Sequence, residues 1–186
     1  QMPQEVSLWV VGQGFAPMTV LILILMFYLV MGCLMDSLSM ILLTIPIFWP
    51  VISVLDFGLI GLIDMQAARL AEGISDGVAM APDLLAQAQA KLAQGVALGR
   101  EEFRDLGLRP VTEAMHADFN RTLTAIWFGI LVLIVVEVGL ITPPVGMNLF
   151  IINAMDKTTP ITATWRAVMW FVGSDIIRVA ILVAFP

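Results

Sequence analysis

Charged side chains are scarce in this sequence, and so are the residues on which disulfide, metal and nucleophilic chemistry is built. Only 13% of the 186 residues are charged, and the chain contains one cysteine, one histidine and one tyrosine. Because Cys33 has no second cysteine to pair with, an internal disulfide framework is excluded. Fifteen acidic residues outnumber nine basic ones, and the resulting net charge of −6 argues against nucleic acid as a partner.

Catalytic signatures are missing as well. The sequence has no HExxH motif, no cysteine pair and no serine–lysine arrangement within an apolar run. His116 lies in a polar segment without other metal-ligating residues nearby, so we expect a solvated surface role for it. The best candidate for a catalytic pair inside a membrane is Asp36 with Glu137, which is too little to predict an enzyme.

Apolar residues, by contrast, make up 60% of the sequence and give it a mean hydropathy of +0.96. Soluble domains are about half apolar and about a quarter charged, so we predict an all-α integral membrane protein surrounded by membrane lipid. The first residue is glutamine, and no charged leader precedes the first apolar run. We therefore expect the sequence to be a piece of a longer protein.

The apolar runs divide the chain into three segments, of which residues 1–56 are the first. An interfacial arm at 1–16 precedes a stretch that is almost wholly apolar and is interrupted once, by "GCLMDSLS" at 32–39. Each half of this stretch is roughly 15–18 residues long, which is short for a span of roughly 20. The pattern favours a re-entrant hairpin, and two complete crossings are the alternative.

Residues 57–118 have a different character, with nine acidic and five basic residues among many alanines and glutamines. A helix is predicted to begin at Pro82 and to stop at Gly99, and Gly107 and Pro110 break the next short helix. The apolar stripe of the first helix consists of Leu85, Ala88, Leu92 and Val96. We predict a helical, water-facing segment here, and a solvated acidic linker is the alternative.

Residues 119–186 contain a second apolar run, 124–155, and a last span at 166–186, where Asp175 and Arg178 lie three apart and can form a structural ion pair. The run is interrupted by "VGLITPPVGM" at 138–147. Pro143 and Pro144 have no N–H and therefore deprive preceding carbonyl groups of their usual donors.

The glycines on either side of this break, Gly139 and Gly146, allow a close backbone approach. Irregular backbone at membrane depth is tolerated inside protein or around a polar cavity, and transporters use it to bind ions. Freed carbonyls and the Thr142 hydroxyl therefore predict a Na⁺ site. A proline-kinked but inert helix is the alternative.

Polar residues at the hairpin tip offer further oxygen atoms, from Asp36, Ser37 and Ser39. An ionisable residue at membrane depth is a functional candidate by default. The alternative for Asp36, which is compatible with the first, is an N-cap of the second hairpin helix. For Glu137 we expect a buried, hydrogen-bonded packing role.

Two long stretches, "MGCLMDSLSMILLTIPIFWPV" at 31–51 and "IWFGILVLIVVEVGLITPPVGMNLFIINAM" at 126–155, resemble the large membrane subunit of tripartite ATP-independent periplasmic (TRAP) transporters. The resemblance covers roughly 1–56 and 119–186 and corresponds to the C-terminal part of that subunit. It implies an ion transporter superfamily fold in which these residues form the second inverted repeat. The repeat would comprise a re-entrant hairpin at 17–53, a discontinuous transmembrane helix at 124–154 and a final span at 167–185.

The resemblance also implies roles for individual residues. The Na⁺ ligands would be Gly32, Gly139, Thr142 and Val145. Asp36 and Asn148 would lie close to the substrate cavity, with Ser37 beside them as a further substrate-binding candidate. The helix break would consist of Pro143, Pro144 and Gly146.

A member of this family would act as part of a Na⁺-coupled symporter that imports organic acids, with C4-dicarboxylates as the default, across the bacterial inner membrane. Its partners would be a small membrane subunit and a periplasmic substrate-binding protein. Residues 57–118 depart from the family pattern and are predicted to be an insertion, either a real accessory element or an artefact of the reading frame. The rival hypothesis is a non-transporting membrane scaffold from a truncated or rearranged gene.

Overall fold

The computed structural model describes residue 5 and residues 12–142, 147–155 and 159–186, which form helices and connecting turns with no β-strand among them. The prediction of an all-α fold is confirmed. Two helices, Glu113–Ile141 and Ile161–Ala184, are long and apolar enough to cross a membrane. The re-entrant course of the hairpin stays a prediction.

The described residues form two compact units, which are considered separately. Unit 1 comprises Gln1–Phe57 and Thr124–Pro186, and unit 2 comprises Gly58–Leu123. The helices in chain order are α1 (Pro17–Gly32), α2 (Ser37–Ile52), α3 (Leu62–Ser75), α4 (Pro82–Ala93), α5 (Arg100–Asp105), α6 (Glu113–Ile141), α7 (Met147–Met155) and α8 (Ile161–Ala184).

The first two helices of unit 1 form the predicted hairpin, with a turn between Gly32 and Ser37. Each helix has 16 residues, which corresponds to about 24 Å of helix at 1.5 Å per residue. The hydroxyl oxygens of Tyr28 and Thr44 lie 2.7 Å apart in a buried hydrogen bond between the two helices. Phe48 packs against Tyr28 with ring centroids 5.6 Å apart, so the hairpin is held together by polar and aromatic contacts at one level.

Helix α6 supplies the second part of the core of unit 1. Its buried residues in this unit are Thr124, Trp127, Phe128, Leu131, Val132, Val135, Val136, Val138 and Gly139. The indole N–H of Trp127 donates to the carbonyl oxygen of Leu182 at 2.7 Å. This bond supplies a donor that Pro186, four residues after Leu182, cannot provide because it lacks an N–H.

Helix α8 begins at Ile161, five residues before the predicted start of the last span, because Pro160 has the extended backbone of an N-cap. The helix is far more exposed than α6, and Val172 is its buried residue. The ion pair predicted within it is confirmed, since Arg178 Nη1 lies 3.1 Å from Asp175 Oδ1. Residues 1–4 and 6–11, most of the predicted interfacial arm, lie outside the described residues.

Unit 2 is a small helical unit with its own apolar core. The buried core residues are Leu70, Ala88, Leu92, Leu98, Phe103, Leu106 and Val111. Glycines with positive φ end the helices, with Gly77 after α3, Gly95 after α4 and Gly107 after α5. The predicted stop of α4 at Gly99 is therefore wrong. Gly95 takes the left-handed conformation instead, and Val96 N–H donates back to the carbonyl oxygen of Lys91 at 2.9 Å.

Gly99 is instead the N-cap of α5, and its N–H donates to Glu102 Oε2 at 2.6 Å. A salt bridge from Lys91 also reaches Glu102 and links α4 to α5. The predicted stripe is accordingly buried at Ala88 and Leu92, whereas Val96 lies beyond the helix and is exposed. The boundaries 56/57 and 118/119 and the interpretation of 57–118 as an insertion stay predictions.

The prediction of a solvated His116 is wrong. Its Nε2 lies 2.8 Å from the carbonyl oxygen of Ile60, and the side chain is partly buried. Asn120 reinforces this contact from the next turn of α6, donating from Nδ2 to the same oxygen at 3.1 Å and accepting from Ile60 N–H at 3.2 Å. His116 and Asn120 thus hold the start of unit 2 against its end.

A buried glutamine connects α3 to the loop before α5. Gln66 is 1% exposed, its Nε2 donates to the carbonyl oxygen of Leu98 at 3.1 Å, and its Oε1 accepts from Leu98 N–H at 2.8 Å. The side-chain NH₂ and C=O of Gln66 therefore pair with the backbone C=O and N–H of Leu98. Because a buried backbone group without a partner is costly, this pairing fixes the path of the loop.

We expect Gln66→Leu to destabilise unit 2 by about 1–3 kcal/mol, since it leaves the buried N–H and C=O of Leu98 without partners. Hydrogen exchange of the peptides that cover α3–α5, measured in the full chain, reports the loss as faster exchange. Gln87→Leu on the exposed side of α4 is the matched control and should leave exchange unchanged. Equal protection in the two variants would contradict the proposed importance of the Gln66 pairing.

The Glu102 cap makes a pH-dependent contribution to unit 2. Hydrogen bonds from Lys91 and from the Gly99 N–H lower the pKa of the Glu102 carboxyl below its ordinary value. A lowered pKa in the folded state means that the stabilisation is present above the unfolded pKa and is lost as the pH falls through the folded pKa. Because the carboxyl is exposed, the contribution is small.

We expect Glu102→Gln to reduce the acid sensitivity of unit 2 relative to the wild-type chain. The measurement is hydrogen exchange of α4 and α5 at several acidic pH values, corrected for the intrinsic pH dependence of exchange. Glu101→Gln, on the exposed side of the same helix turn, is the control. An identical pH profile for wild type and Glu102→Gln would show that the cap does not contribute.

Candidate functional site

The end of α1 and the last turns of α6 lie backbone against backbone. A Cβ atom on Gly139 would lie 2.9 Å from the Cα of Gly32 and 2.9 Å from the carbonyl oxygen of Leu29, and one on Gly32 would lie 3.1 Å from the carbonyl oxygen of Val136. Real Cβ atoms essentially never come closer than 3.0 Å, so Gly139 has no room for a side chain. The structure thus brings together two residues predicted for the Na⁺ site.

Thr142, the third such residue, follows directly after the end of α6 at Ile141. Its N–H donates to the carbonyl oxygen of Gly139 at 3.2 Å. Its hydroxyl donates to the carbonyl oxygen of Val138 at 2.5 Å. Gly139 thus lacks the usual donor four residues later, as expected for a residue before the prolines, and the N–H of Thr142 takes the place of the one that Pro143 lacks.

The Thr142 hydroxyl keeps its capacity to bind a cation. A hydroxyl has one proton and two lone pairs, and the bond to Val138 uses the proton. The carbonyl oxygen of Thr142 also faces the hairpin tip, where Cys33 Sγ lies 3.9 Å away. The structure thus brings three residues of the predicted ion site together in unit 1. They are Gly32, Gly139 and Thr142.

The remaining residues of the predicted break lie outside the described residues. They are Pro143, Pro144, Val145 and Gly146. The elements on either side agree with a discontinuous helix, since α6 ends at Ile141 and α7 begins at Met147. Within the described ranges, no group of three or more His, Cys, Asp or Glu side chains is arranged to hold a metal ion.

Asp36, predicted for the substrate site, is the N-cap of α2. Its Oδ2 accepts from the N–H of Ser39 at 3.2 Å and from the Ser39 hydroxyl at 3.3 Å. The capping interpretation of Asp36 is confirmed, and its carboxylate is exposed at the hairpin tip. Ser37, the first residue of α2, is half-buried.

Asn148, the third substrate candidate, is the second residue of α7 and is exposed. No hydrogen bond among the described residues joins it to Asp36 or Gly32. Glu137 is also exposed, on α6, so the expected buried packing role is wrong. Valines lie on both sides of Glu137 and are buried, whereas the helical period turns position 137 outwards.

Sequence reasoning also missed Asn153, near the end of α7. Its Oδ1 is buried and has no hydrogen-bond partner in the part of the chain that the structure describes. The second of the two asparagines in the run "NLFIINAM" was the available signal, because polar groups in such runs are costly unless they bind something. The neighbouring Phe150 packs edge-on against Trp165 of α8, with centroids 6.5 Å apart.

Comparison with known proteins relates this chain to a protein family and to a curated relative. The sequence model of the family described as "Tripartite ATP-independent periplasmic transporter, DctM component" matches residues 1–186. The C4-dicarboxylate TRAP transporter large permease protein DctM of Pseudomonas aeruginosa is 25% identical over 169 residues, which is 91% of this chain and 24% of that protein. The chain therefore spans about a quarter of the length of this relative. No solved structure matches it.

The close contact at Gly139 can be tested without a transport assay. We expect Gly139→Ala to separate α1 from α6, since the added Cβ would lie 2.9 Å from two backbone atoms. The rate at which a maleimide modifies Cys33, the single cysteine, should rise in the detergent-solubilised chain. Gly129→Ala in the same helix is the matched control, because nothing lies within 4 Å of its Cβ position. Equal rates in both variants and wild type would contradict the contact.

Proposed function

The chain belongs to the DctM component family of tripartite ATP-independent periplasmic transporters, and on this premise we propose that it forms part of a large permease subunit that imports organic acids by Na⁺ symport. As a member of a transporter family it is a membrane-embedded transport component and not an enzyme, as the sequence predicted. The observation that carries the proposal is the Gly32–Gly139 contact, since it associates the hairpin tip with the last turns of α6.

The residues proposed to hold Na⁺ are Gly32, Gly139, Thr142 and Val145. Na⁺ is a hard cation that is bound by carbonyl and hydroxyl oxygens, and broken membrane helices supply both. The fit is supported by the lack of side-chain space at the two glycines and by the free lone pairs of the Thr142 hydroxyl. When bound, the ion would supply positive charge beside the hairpin tip.

The residues proposed to bind the substrate are Asp36, Ser37 and Asn148. Asn148 lies in the first turn of α7, where the unpaired N–H groups and the helix dipole favour a carboxylate. Asp36 would repel a dicarboxylate, and a cation nearby offsets that repulsion. We propose C4-dicarboxylate-like acids as substrates because the P. aeruginosa relative is named as a C4-dicarboxylate permease.

The proposed partners are a small TRAP membrane subunit and a periplasmic substrate-binding protein, as the family name "tripartite" requires further components. The proposed location is the bacterial inner membrane, with several passes. Two helices of suitable length and hydropathy, α6 and α8, support a multi-pass arrangement. The exposed apolar residues of α8 are consistent with lipid or protein contacts in that membrane.

The alternative proposal is a non-transporting membrane scaffold. One observation favours it, namely that several polar groups at the hairpin tip and the break find partners within the chain. Asp36 accepts two bonds from Ser39, and the Gly139 carbonyl accepts from Thr142 N–H. If these polar groups serve only in such internal hydrogen bonds, the protein needs no ion at this place.

Uptake into proteoliposomes distinguishes the two proposals. The full-length permease that contains this chain would be reconstituted with its partners and assayed with ¹⁴C-succinate, with and without an inward Na⁺ gradient. We expect gradient-driven uptake in the wild type. For Thr142→Ala we expect the Na⁺ concentration for half-maximal uptake to rise by about tenfold, which corresponds to about 1.4 kcal/mol of lost ion binding.

Thr122→Ala is a matched control, because its hydroxyl makes the same type of bond to the carbonyl oxygen four residues earlier, at 3.0 Å from Asp118. This control should transport like wild type, and Thr142→Ser should restore the Na⁺ dependence. An unchanged Na⁺ dependence in Thr142→Ala would remove Thr142 from the site. Absence of uptake by the assembled, folded complex would favour the scaffold.

A further inference from the structure

Unit 2 contains a cavity of about 550 Å³ between α3 and the segment that follows α5. We propose that this cavity binds a small organic carboxylate through the guanidinium of Arg109, as a second anion site that is independent of the Gly32–Gly139 region. Its lining residues are Met65, Ala68, Arg69, Glu72, Arg109, Val111 and Met115. The volume lies within the range of about 300–1,000 Å³ that is typical of small-molecule sites.

The charges that face the cavity favour an anion. Arg69 pairs with Glu72 on its own helix, whereas Arg109 is exposed and has no ion pair or hydrogen bond among the described residues. Two guanidinium groups and one carboxylate leave a net charge of +1 in a chain whose overall charge is −6. A guanidinium cannot lose its proton in a protein, and its fork of donors matches a carboxylate in two parallel bonds.

The walls of the cavity suit the carbon skeleton of such an acid. Val111 is buried, and Met65 and Met115 present apolar surface beside the two arginines. An apolar lining with a few convergent polar groups is the usual composition of a small-molecule site. Inorganic phosphate would leave these apolar walls unused, so the composition favours a carboxylate with a carbon chain.

The backbone around Arg109 is fixed before any ligand binds. Leu108 N–H donates to the carbonyl oxygen of Phe103 at 2.8 Å, in the turn that Gly107 closes with a φ of 72°. Pro110 restricts the backbone of Arg109, the residue before it, and Val111 is anchored in the core of the unit. A site built on such positions loses little backbone entropy on binding.

A second cavity in the same unit has the opposite charge character. It has a volume of about 370 Å³ and lies between α3 and α4. Its polar side chains are Asp64 and Gln89, and it contains no arginine or lysine. An anion would meet a carboxylate there and no cation, so this second cavity does not offer the chemistry proposed at Arg109.

The test is isothermal titration calorimetry of succinate into the full chain in nanodiscs, without a Na⁺ gradient. We expect binding by the wild type and a loss of about tenfold in affinity for Arg109→Ala, as for the removal of one charge-assisted pair. Arg104→Ala, an exposed arginine of α5 outside the cavity, is the matched control. It should bind succinate like the wild type.

Glu72→Gln gives the sharper result, because it removes the carboxylate that neutralises Arg69. We expect this variant to bind succinate more tightly than the wild type, which a loss of folding would not produce. Titration with succinamide, which has no charge, and with phosphate separates carboxylate binding from shape and from general anion binding. Succinate binding at the unit 1 site would not respond to Arg109→Ala, so failure of either site can be recognised separately.

Three results would overturn the proposal. The first is the absence of succinate binding by the folded wild-type chain. The second is equal affinity in Arg109→Ala, Arg104→Ala and wild type. The third is tighter binding of phosphate than of succinate, which would assign the cavity to inorganic anions.

Discussion

Two glycine backbones, at Gly32 and Gly139, approach so closely that a Cβ atom at the second position would overlap the first. Helix α1 ends at Gly32, and α6 ends two residues after Gly139, so this contact joins a hairpin tip to a helix end. The Tyr28–Thr44 hydrogen bond links α1 to α2. The position of the whole hairpin beside α6 therefore depends on two residues that have no side chain.

Close backbone contact at this point leaves carbonyl and hydroxyl oxygens as the available polar groups. Several are already used, since Thr142 donates to Val138 and to Gly139, and Asp36 caps α2. Each of these bonds consumes a proton and leaves lone pairs on the accepting oxygens. The same geometry therefore serves a stable resting structure and can still offer oxygens to a cation.

The sequence predicted those features that follow from local chemistry. The hairpin arms, the end of α6 at Ile141, the Asp36 cap and the Asp175–Arg178 pair all depend on neighbours within a few positions. The association of Gly32 with Gly139 came from family resemblance, since no periodicity links residues so far apart. The errors have the same origin: Gly95 and Gly99 are equally good helix stops on composition, and the partner of His116 lies 56 residues away. The Gln66–Leu98 pairing joins residues 32 positions apart, and the pattern of apolar residues does not indicate it.

The double proline has a consequence that one proline would not have. In a helix each carbonyl accepts from the N–H four residues later, or three later in a tighter turn. Gly139 loses the donor at Pro143 and takes that of Thr142. For Leu140 the two positions are Pro143 and Pro144, and neither has an N–H. In hydrocarbon such an oxygen needs another partner, such as a side chain, a neighbouring helix, water or a cation. The sequence "TPP" thus singles out one carbonyl, next to the Gly32–Gly139 contact, for an interaction that the helix itself cannot supply.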